Sequence, residues 1–444
     1  MYSFLVLNSI NKVFGLDLSS KQVLYLTIAI LVLFDPFIIY DVGFLFSICT
    51  VGGIILCNDF IQDNNKFKSA FKLSLIAFLF SLPISLYSFY EINLLSIIYN
   101  IVFIPFISII VYPLSLLSFV FPFLYKLFNI SLDILEWSSS VLSSFKIFNL
   151  YLSFNIFEVL LFYLGLYLIF VKQHKIYICL LFIIVIFDYL LPYLDKNNYV
   201  YFLDVGQGDA SLIITRNRKE VILLDIGGLT DTKVSDRYIS LLKYLGIKNV
   251  DYLILTQGDF DHMGDAINVI NTFNIRNVIF NCGDFNELEL SYIKYLDDKG
   301  IKYYSCINDL KLNNNTLYFL NTKIYDNEND NSNVIYTKFN NYDFLFMGDS
   351  EINREKDLVA YFDLPKIDIL KVGHHGSKTS SNKKFINLIK PNYSIISVGK
   401  YNKYGHPNKE VLENLKDSKI YRTDQDGSVL ITIGKRFKIN SYNP

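Results

Sequence analysis

The stretch LTQGDFDHMGD at 255–265 places Asp259, Asp261 and His262 at i, i+2 and i+3, straight after an apolar run. Carboxylates and an imidazole packed that closely are ligands for a divalent ion, and Asp259 or Asp261 is also a candidate proton acceptor. Further along, FLFMGDS delivers Asp349, DILKVGHHGS delivers His374 and His375, and SVGKYNKYGHP delivers His406. LLDIGG contributes Asp225. Four of the five histidines of the chain therefore fall in this half, each just after an apolar run that reads as a strand. One histidine alone is more often structural; four beside three aspartates point to a metal centre. A mixed carboxylate and imidazole set suits manganese, zinc or iron, and its high oxygen share favours manganese. Gln257, two residues before Asp259, stands where a second imidazole would complete the motif.

Elements that could gather these residues follow from the pattern after residue 199. YVYFLDV, ASLIITR and EVILLDI read as three strands joined by tight glycine turns, an antiparallel start. TKVSDRYISLLKYLG reads as a helix ending at Gly246, followed by the buried strand DYLILT. Strands then alternate with helical segments near 287–298, 351–361, 381–389 and 408–416, which predicts sheets covered by helices with polar residues at the strand ends.

The first half is different. Up to Asp195 there are 9 lysines, no arginine and 11 acids, leaving 32 basic and 31 acidic residues for the remainder. Apolar runs recur at 23–34, 42–57, 70–90, 92–114, 114–128, 156–171 and 176–194. A bilayer span takes about 20 mostly apolar residues, so six or seven spans are expected, the first and fifth being the weakest. The lysines at 12, 21, 66, 68, 72, 172 and 175 alternate with acid-bearing turns at 35–41 and Glu91. Seven spans with lysine-rich loops inside put the N-terminus in the cytoplasm and the second half outside, with Lys126 dissenting. Residues 129–150 read as an amphipathic helix lying in the interface, with Trp137 near the headgroups. Asp35 and Asp188 fit the capping of span ends, and Glu158 fits either a structural or a functional role.

The near-neutral second half carries no overall basic face for nucleic acid. No cysteine pair has metal-ligand spacing, so all five read as small buried apolar residues, with a Cys282–Cys306 bridge the lesser alternative. The first 22 residues lack the basic region and cleavage site of a signal peptide.

The motifs FLDVGQGDA, LLDIGG, DFDHMGD, FMGDS and LKVGHHGSKTSS, in this order and spacing, resemble the metallo-β-lactamase fold in the version that ends the ComEC DNA-internalisation proteins. DPFIIYDVGFLFSICTVGGIIL (35–56) is similar to the membrane domain of that family. The resemblance implies a polytopic all-α transmembrane domain (1–195) followed by an αβ/βα metallo-β-lactamase-like domain (196–444). It implies that Asp261, His262 and a histidine of the 374–375 pair hold one metal, and that Asp349 bridges to a second. Asp225 resembles an aspartate that orients the metal loop through hydrogen bonds, and Asp209 and His406 fall in supporting positions. Gln257 and Asp259 occupy the first-metal positions, where the family has histidine then aspartate; Gln257 departs from it, as does Asp265, where glycine is usual.

One or two manganese or zinc ions are thus the expected cofactor. Lys378, Thr379 and Ser380 form an expected phosphate-binding loop. The resemblance implies a multi-pass channel for single-stranded DNA in the cell membrane, with an outer domain that meets duplex and degrades the strand that does not enter. Two alternatives stand beside it: a non-enzymatic transporter with a degenerate metal domain, and a membrane-anchored metal-dependent hydrolase of a non-nucleic substrate. The expected partners are DNA, the membrane, other DNA-uptake proteins, and a second chain supplying the upstream part that family members usually carry.

Overall fold

The computed structural model describes residues 2–143, 148–227 and 234–442. Lys146, Gly228 and the first residues of the expected 232–246 helix lie outside them. Two compact units form: one from Met1–Tyr189 with Lys243–Gly246, the other from Leu190–Leu242 with Ile247–Pro444.

The first unit is helical. Among the described residues three helices, Lys66–Ser88, Ser96–Val120 and Tyr177–Leu194, are long and apolar enough to cross a membrane; Ser20–Phe34, Val42–Leu56 and Ile156–Phe170 are shorter and equally apolar. Asp35 ends the first of these and caps a 3-10 turn, its carboxylate accepting from the Phe37 amide at 3.0 Å. Glu158 closes a capping box with Asn155 at the start of the Ile156–Phe170 helix. Val42–Leu56 packs on Lys66–Ser88 so closely that a Cβ at Gly53 would lie 2.3 Å from the Phe80 ring. Small residues at such crossings let apolar helices approach where no hydrophobic effect drives them together.

Two expectations for this unit are corrected. The runs 92–114 and 114–128 are not separate spans: one helix continues through Pro113 to Val120, and the chain turns only at Phe121–Leu124. A π-turn at Ile107–Val111, where the Tyr112 amide donates to the Ile107 carbonyl, widens the helix just before Pro113. That relieves the clash by which proline breaks a regular helix. Second, the amphipathic helix spans Tyr125–Ser143, not 129–150, and returns antiparallel along its predecessor. The Tyr99 hydroxyl, in the first turn of the outgoing helix, reaches the Leu142 carbonyl in the last turn of the returning one at 3.5 Å. Strands β1 (Glu91–Asn93) and β2 (Asn149–Tyr151) then pair antiparallel where the excursion begins and ends.

The second unit is built on two sheets. The first has the order β17-β16-β3-β4-β5-β6-β7-β8, from β3 (Asn198–Phe202), β4 (Ala210–Ile214), β5 (Val221–Ile226), β6 (Asn249–Ile254), β7 (Asn274–Phe280), β8 (Lys302–Ser305), β16 (Ser428–Ile433) and β17 (Phe437–Tyr442). The second runs β15-β14-β13-β12-β11-β10-β9, from β9 (Asp309–Lys311), β10 (Thr316–Phe319), β11 (Ile335–Phe339), β12 (Tyr342–Phe346), β13 (Ile369–Lys371), β14 (Tyr393–Ile396) and β15 (Lys419–Arg422). The antiparallel start is present in β3–β4–β5, and β5 through β8 continue parallel. Helices Glu287–Lys299, Ile352–Tyr361, Lys383–Ile389 and Lys409–Asn414 lie near the predicted positions.

Between the sheets a core of Val200, Phe202, Ile254, Phe344, Ile369 and Ile431 is closed to solvent, and a second layer around Leu345, Leu370 and Ile396 packs beneath the helices. Strands buried on both faces explain the unbroken apolar runs.

The cysteine expectation is corrected as well. Cys282 and Cys306 form a disulfide with Cα atoms 4.5 Å apart, and Cys179 is exposed rather than buried. The parallel register of β7 on β8 sets Phe280 opposite Ser305, which brings the residues just beyond these strands together.

Candidate metal centre

The second unit gathers its acids and imidazoles where β5, β6, β12 and β13 end. One ligand atom each from Asp261, His262, Asp349 and His375 lie within 4.8 Å of one another. His262 is fully buried; its Nε2 is 3.2 Å from Asp349 Oδ2 and its Nδ1 3.0 Å from Asp225 Oδ2. His375 places Nε2 3.3 Å from Asp261 Oδ2 and 3.7 Å from Asp349 Oδ2, while Nδ1 faces the Ser397 carbonyl at 3.0 Å.

Asp225 takes 2.7 Å bonds from both the amide and the hydroxyl of Thr256, so it fixes the His262 ring and the loop after β6 together. It adopts φ +56°, a backbone state uncommon outside glycine, which ties strain to the site. Asp209 ties the other side. Its amide donates to the Asp261 carbonyl at 2.9 Å, its carboxylate meets Lys371 Nζ at 2.7 Å, and Oδ1 lies 3.5 Å from His375 Nδ1. Gly227 lets the chain pass: a Cβ there would sit 1.4 Å from the Asp261 carbonyl oxygen.

The electrostatics follow from that packing. Burial opposes charge at Asp349, but the imidazoles of His262 and His375 hold it far below the usual carboxylate range. Burial likewise disfavours charge on His375, yet Asp349, Asp209 and Asp261 push it up to about 10. Asp259 is raised, first by burial and then by Asp261. Asp349 Oδ1 is buried without a hydrogen-bond partner, and His262 Nε2 has only the 3.2 Å approach of Asp349 Oδ2. Buried polar atoms are nearly always satisfied, so the orphaned Asp349 Oδ1 within a set of four ligand atoms this close fits a divalent ion held by Asp261, His262, Asp349 and His375.

Other predicted residues fall elsewhere. Gln257 is fully buried beside the cluster, but its carbonyl oxygen accepts from Ser332 Oγ at 3.0 Å and its amide nitrogen has no partner. Asp259 is outside the four-residue group, although it interacts electrostatically with Asp261, His262 and Asp349. His374 and His375 both adopt left-handed backbone, φ +48° and +52°, and diverge. His374 Nδ1 meets Glu351 Oε1 at 3.0 Å, and its Nε2 remains 3.9 Å from Asp349. His406 packs its ring 5.7 Å from that of His374, a supporting position. In the expected phosphate loop, Thr379 donates to Glu351 at 2.7 Å, buried Ser380 donates to the Gly373 carbonyl at 2.8 Å, and Lys378 is exposed.

Lys371, Ser332 and Glu351 went unnoticed in the sequence. Lys371 had a signal, a charge inside an otherwise apolar strand; the other two had none beyond neighbouring Asp349 or Asn333.

Comparison with known proteins agrees with the two-part architecture. Residues 2–175 match the family described as Competence protein, and 203–400 match the Metallo-beta-lactamase superfamily. ComE operon protein 3 of Bacillus subtilis is 27% identical over 92% of this chain and 58% of its own length. Competence protein ComA of Neisseria gonorrhoeae is 26% identical over 94% and 59%, and Recombination protein 2 of Haemophilus influenzae 28% over 48% and 26%. The chain thus spans less than two thirds of the length of these relatives. Among solved structures, the metallo-beta-lactamase fold protein YhfI of Bacillus subtilis aligns with TM-score 0.37 and 12% identity, covering 53% of this chain and 99% of that one.

Proposed function

We propose that this chain, in which a competence-protein domain precedes a metallo-β-lactamase-superfamily domain, is a membrane component of DNA uptake. In this reading the helical unit conducts a single strand and the second unit is a phosphodiesterase acting on the other. The observation that carries the catalytic part is a set of two carboxylates and two imidazoles with ligand atoms within 4.8 Å of one another, in which buried Asp349 Oδ1 has no hydrogen-bond partner. Two nitrogen and two oxygen donors suit zinc or manganese. The tethered carbonyl of Gln257 favours one ion over two. A bound divalent ion supplies an activated water and offsets charge on a phosphoryl group. Asp259, its carboxyl raised by burial and by Asp261, is the candidate to handle the proton, and His374, oriented by Glu351, sets its Nε2 3.9 Å from Asp349.

A multi-pass, outward orientation of the second unit is supported by two independent observations. With the Tyr125–Ser143 helix as a return crossing, seven crossings remain, and Lys126 joins Lys12, Lys21, Lys66, Lys68, Lys172 and Lys175 on one side. Lys146 is the exception. The Cys282–Cys306 disulfide belongs to an oxidising compartment.

The test uses the full chain in detergent. One zinc or manganese per chain and metal-dependent cleavage of labelled DNA are expected, both lost in His262→Ala. Cleavage of small esters without cleavage of DNA would replace this reading with a non-nucleic hydrolase. DNA uptake that survives His262→Ala would leave a transporter whose metal domain is not catalytic.

A further inference from the structure

At the opposite end of the strands from the metal cluster lies an open groove of about 710 Å³. Arg216, Lys311 and Lys338 line it, with Asn198, Asn340 and Tyr318. It starts at the first strand residue after the last apolar helix, since the Arg216 amide donates to Asn198 Oδ1 at 2.9 Å. The Arg216 guanidinium is held by Asn340 Oδ1 at 3.0 Å. The alternation of β9–β11 sends Leu317, Phe319, Ile335 and Phe339 into the core and leaves Lys311, Tyr318, Tyr336 and Lys338 on the outer face. The rings of Tyr318 and Tyr336 stack at 6.1 Å, and Tyr318 is 48% exposed.

The acids nearby are mostly withdrawn. Glu220 is buried and takes the Thr215 hydroxyl and the Asn313 amide; Asp343 is buried against Lys338 at 3.1 Å. Asp309, opposite Tyr318 in the register, is the exposed exception.

We infer that this groove binds single-stranded nucleic acid, a site separate from the metal centre. Three cations spaced around the exposed ring of Tyr318, which half-buried Tyr336 backs from outside the groove lining, and a rim of side-chain amides match a strand that offers phosphates and stackable bases in alternation. A phospholipid would need an apolar wall for its chains, and Leu312 is the one aliphatic residue in the lining. β12 runs from the groove side at Tyr342 towards Asp349, roughly 20–30 Å at about 3.3 Å per residue, so a strand held here is not at the cutting site. The inference rests on nucleic acid being the ligand of the proposed function, and it adds where that ligand is gripped.

The experiment measures binding of fluorescein-labelled oligo(dT) to the full chain in detergent with EDTA present, so that metal and cleavage play no part. Lys311→Ala with Lys338→Ala is expected to weaken binding at least tenfold and to flatten the dependence of log affinity on log salt by roughly 1.4, at about 0.7 per phosphate contact. Tyr318→Ala is expected to cost roughly 5- to 160-fold, the range for one stacked base. Wild-type affinity in both variants overturns the inference, as does loss of binding to phosphatidylglycerol vesicles in place of oligo(dT). Metal-dependent cleavage with unchanged oligo(dT) binding by the variants removes the groove alone; absent cleavage with groove-dependent binding removes the nuclease reading alone.

Discussion

Replacing Lys371 with Met tests whether the metal cluster depends on a buried ion pair beneath it. Lys371 Nζ lies 2.7 Å from Asp209 Oδ2, with the side chains 3% and 5% exposed. Truncating the cation leaves Asp209 as an uncompensated buried charge, a defect of about 3–5 kcal/mol. For a unit of this size that is a fall in unfolding midpoint of roughly 6–20 °C. Burial opposes ionisation of Asp209, and Lys371 with His375 holds it well below the carboxylate range instead. The stability so contributed is present above the unfolded value near 4 and lost as pH falls through the folded one, so the defect is full at neutral pH. Asp209→Asn in the same chain removes the stranded charge and is expected to return more than half of the loss. Hydrogen–deuterium exchange over 203–227 and 369–380 of the full chain localises the effect, because Asp209 anchors the Asp261 carbonyl and lies against His375. Equal stability of wild type and Lys371→Met, or a double variant no better than the single, refutes the reasoning.

Other outcomes follow from the same geometry. Gln257→His removes an orphaned buried amide and adds an imidazole next to Ser332, so bound metal is expected to rise from one ion per chain; unchanged metal content by mass spectrometry counts against the subsite. Because the acids around His375 hold its proton up to about pH 10, metal binding at pH 7 must release protons and tighten as pH rises; calorimetry in buffers of different ionisation enthalpy checks this. Glu355, buried while accepting from the Ser381 and Asn382 amides, is raised by burial from 4.5 to about 7. Its contribution is complete below pH 4.5 and lost as pH rises through 7, roughly 3 kcal/mol, and Glu355→Gln is expected to flatten that slope in thermal unfolding. Cys282→Ser opens a 24-residue loop and is expected to cost about 3 kcal/mol, mimicked by reductant on the wild type.

Strand ends were legible because their chemistry is local: DFDHMGD, FMGDS and GHHGS each carry polar residues immediately after an apolar strand. The choice between His374 and His375 was not, since it depends on two consecutive left-handed residues that send neighbouring rings apart. In the helical half, apolar composition hides the breaks. Pro113 reads as a stop, yet a π-turn absorbs it, and the actual turn at Pro122 falls within a run of equal hydropathy. The disulfide was hidden for a related reason: 24 residues of separation say nothing until β7 and β8 are known to lie side by side.

The pairing of Glu91–Asn93 with Asn149–Tyr151 fastens the chain on both sides of the helical excursion between them, and Asn93 Nδ2 bonds Asn149 Oδ1 at 2.7 Å across that fastening. The helices on either side touch without help from the excursion, as the Tyr163 hydroxyl reaching the Phe80 carbonyl at 2.8 Å demonstrates. Within the excursion, Ile97 packs on the core of the frame and its carbonyl accepts from the Ser74 hydroxyl at 2.7 Å. Changes within the described part of that segment that spare Ile97 are therefore expected to leave the Tyr163–Phe80 contact in place.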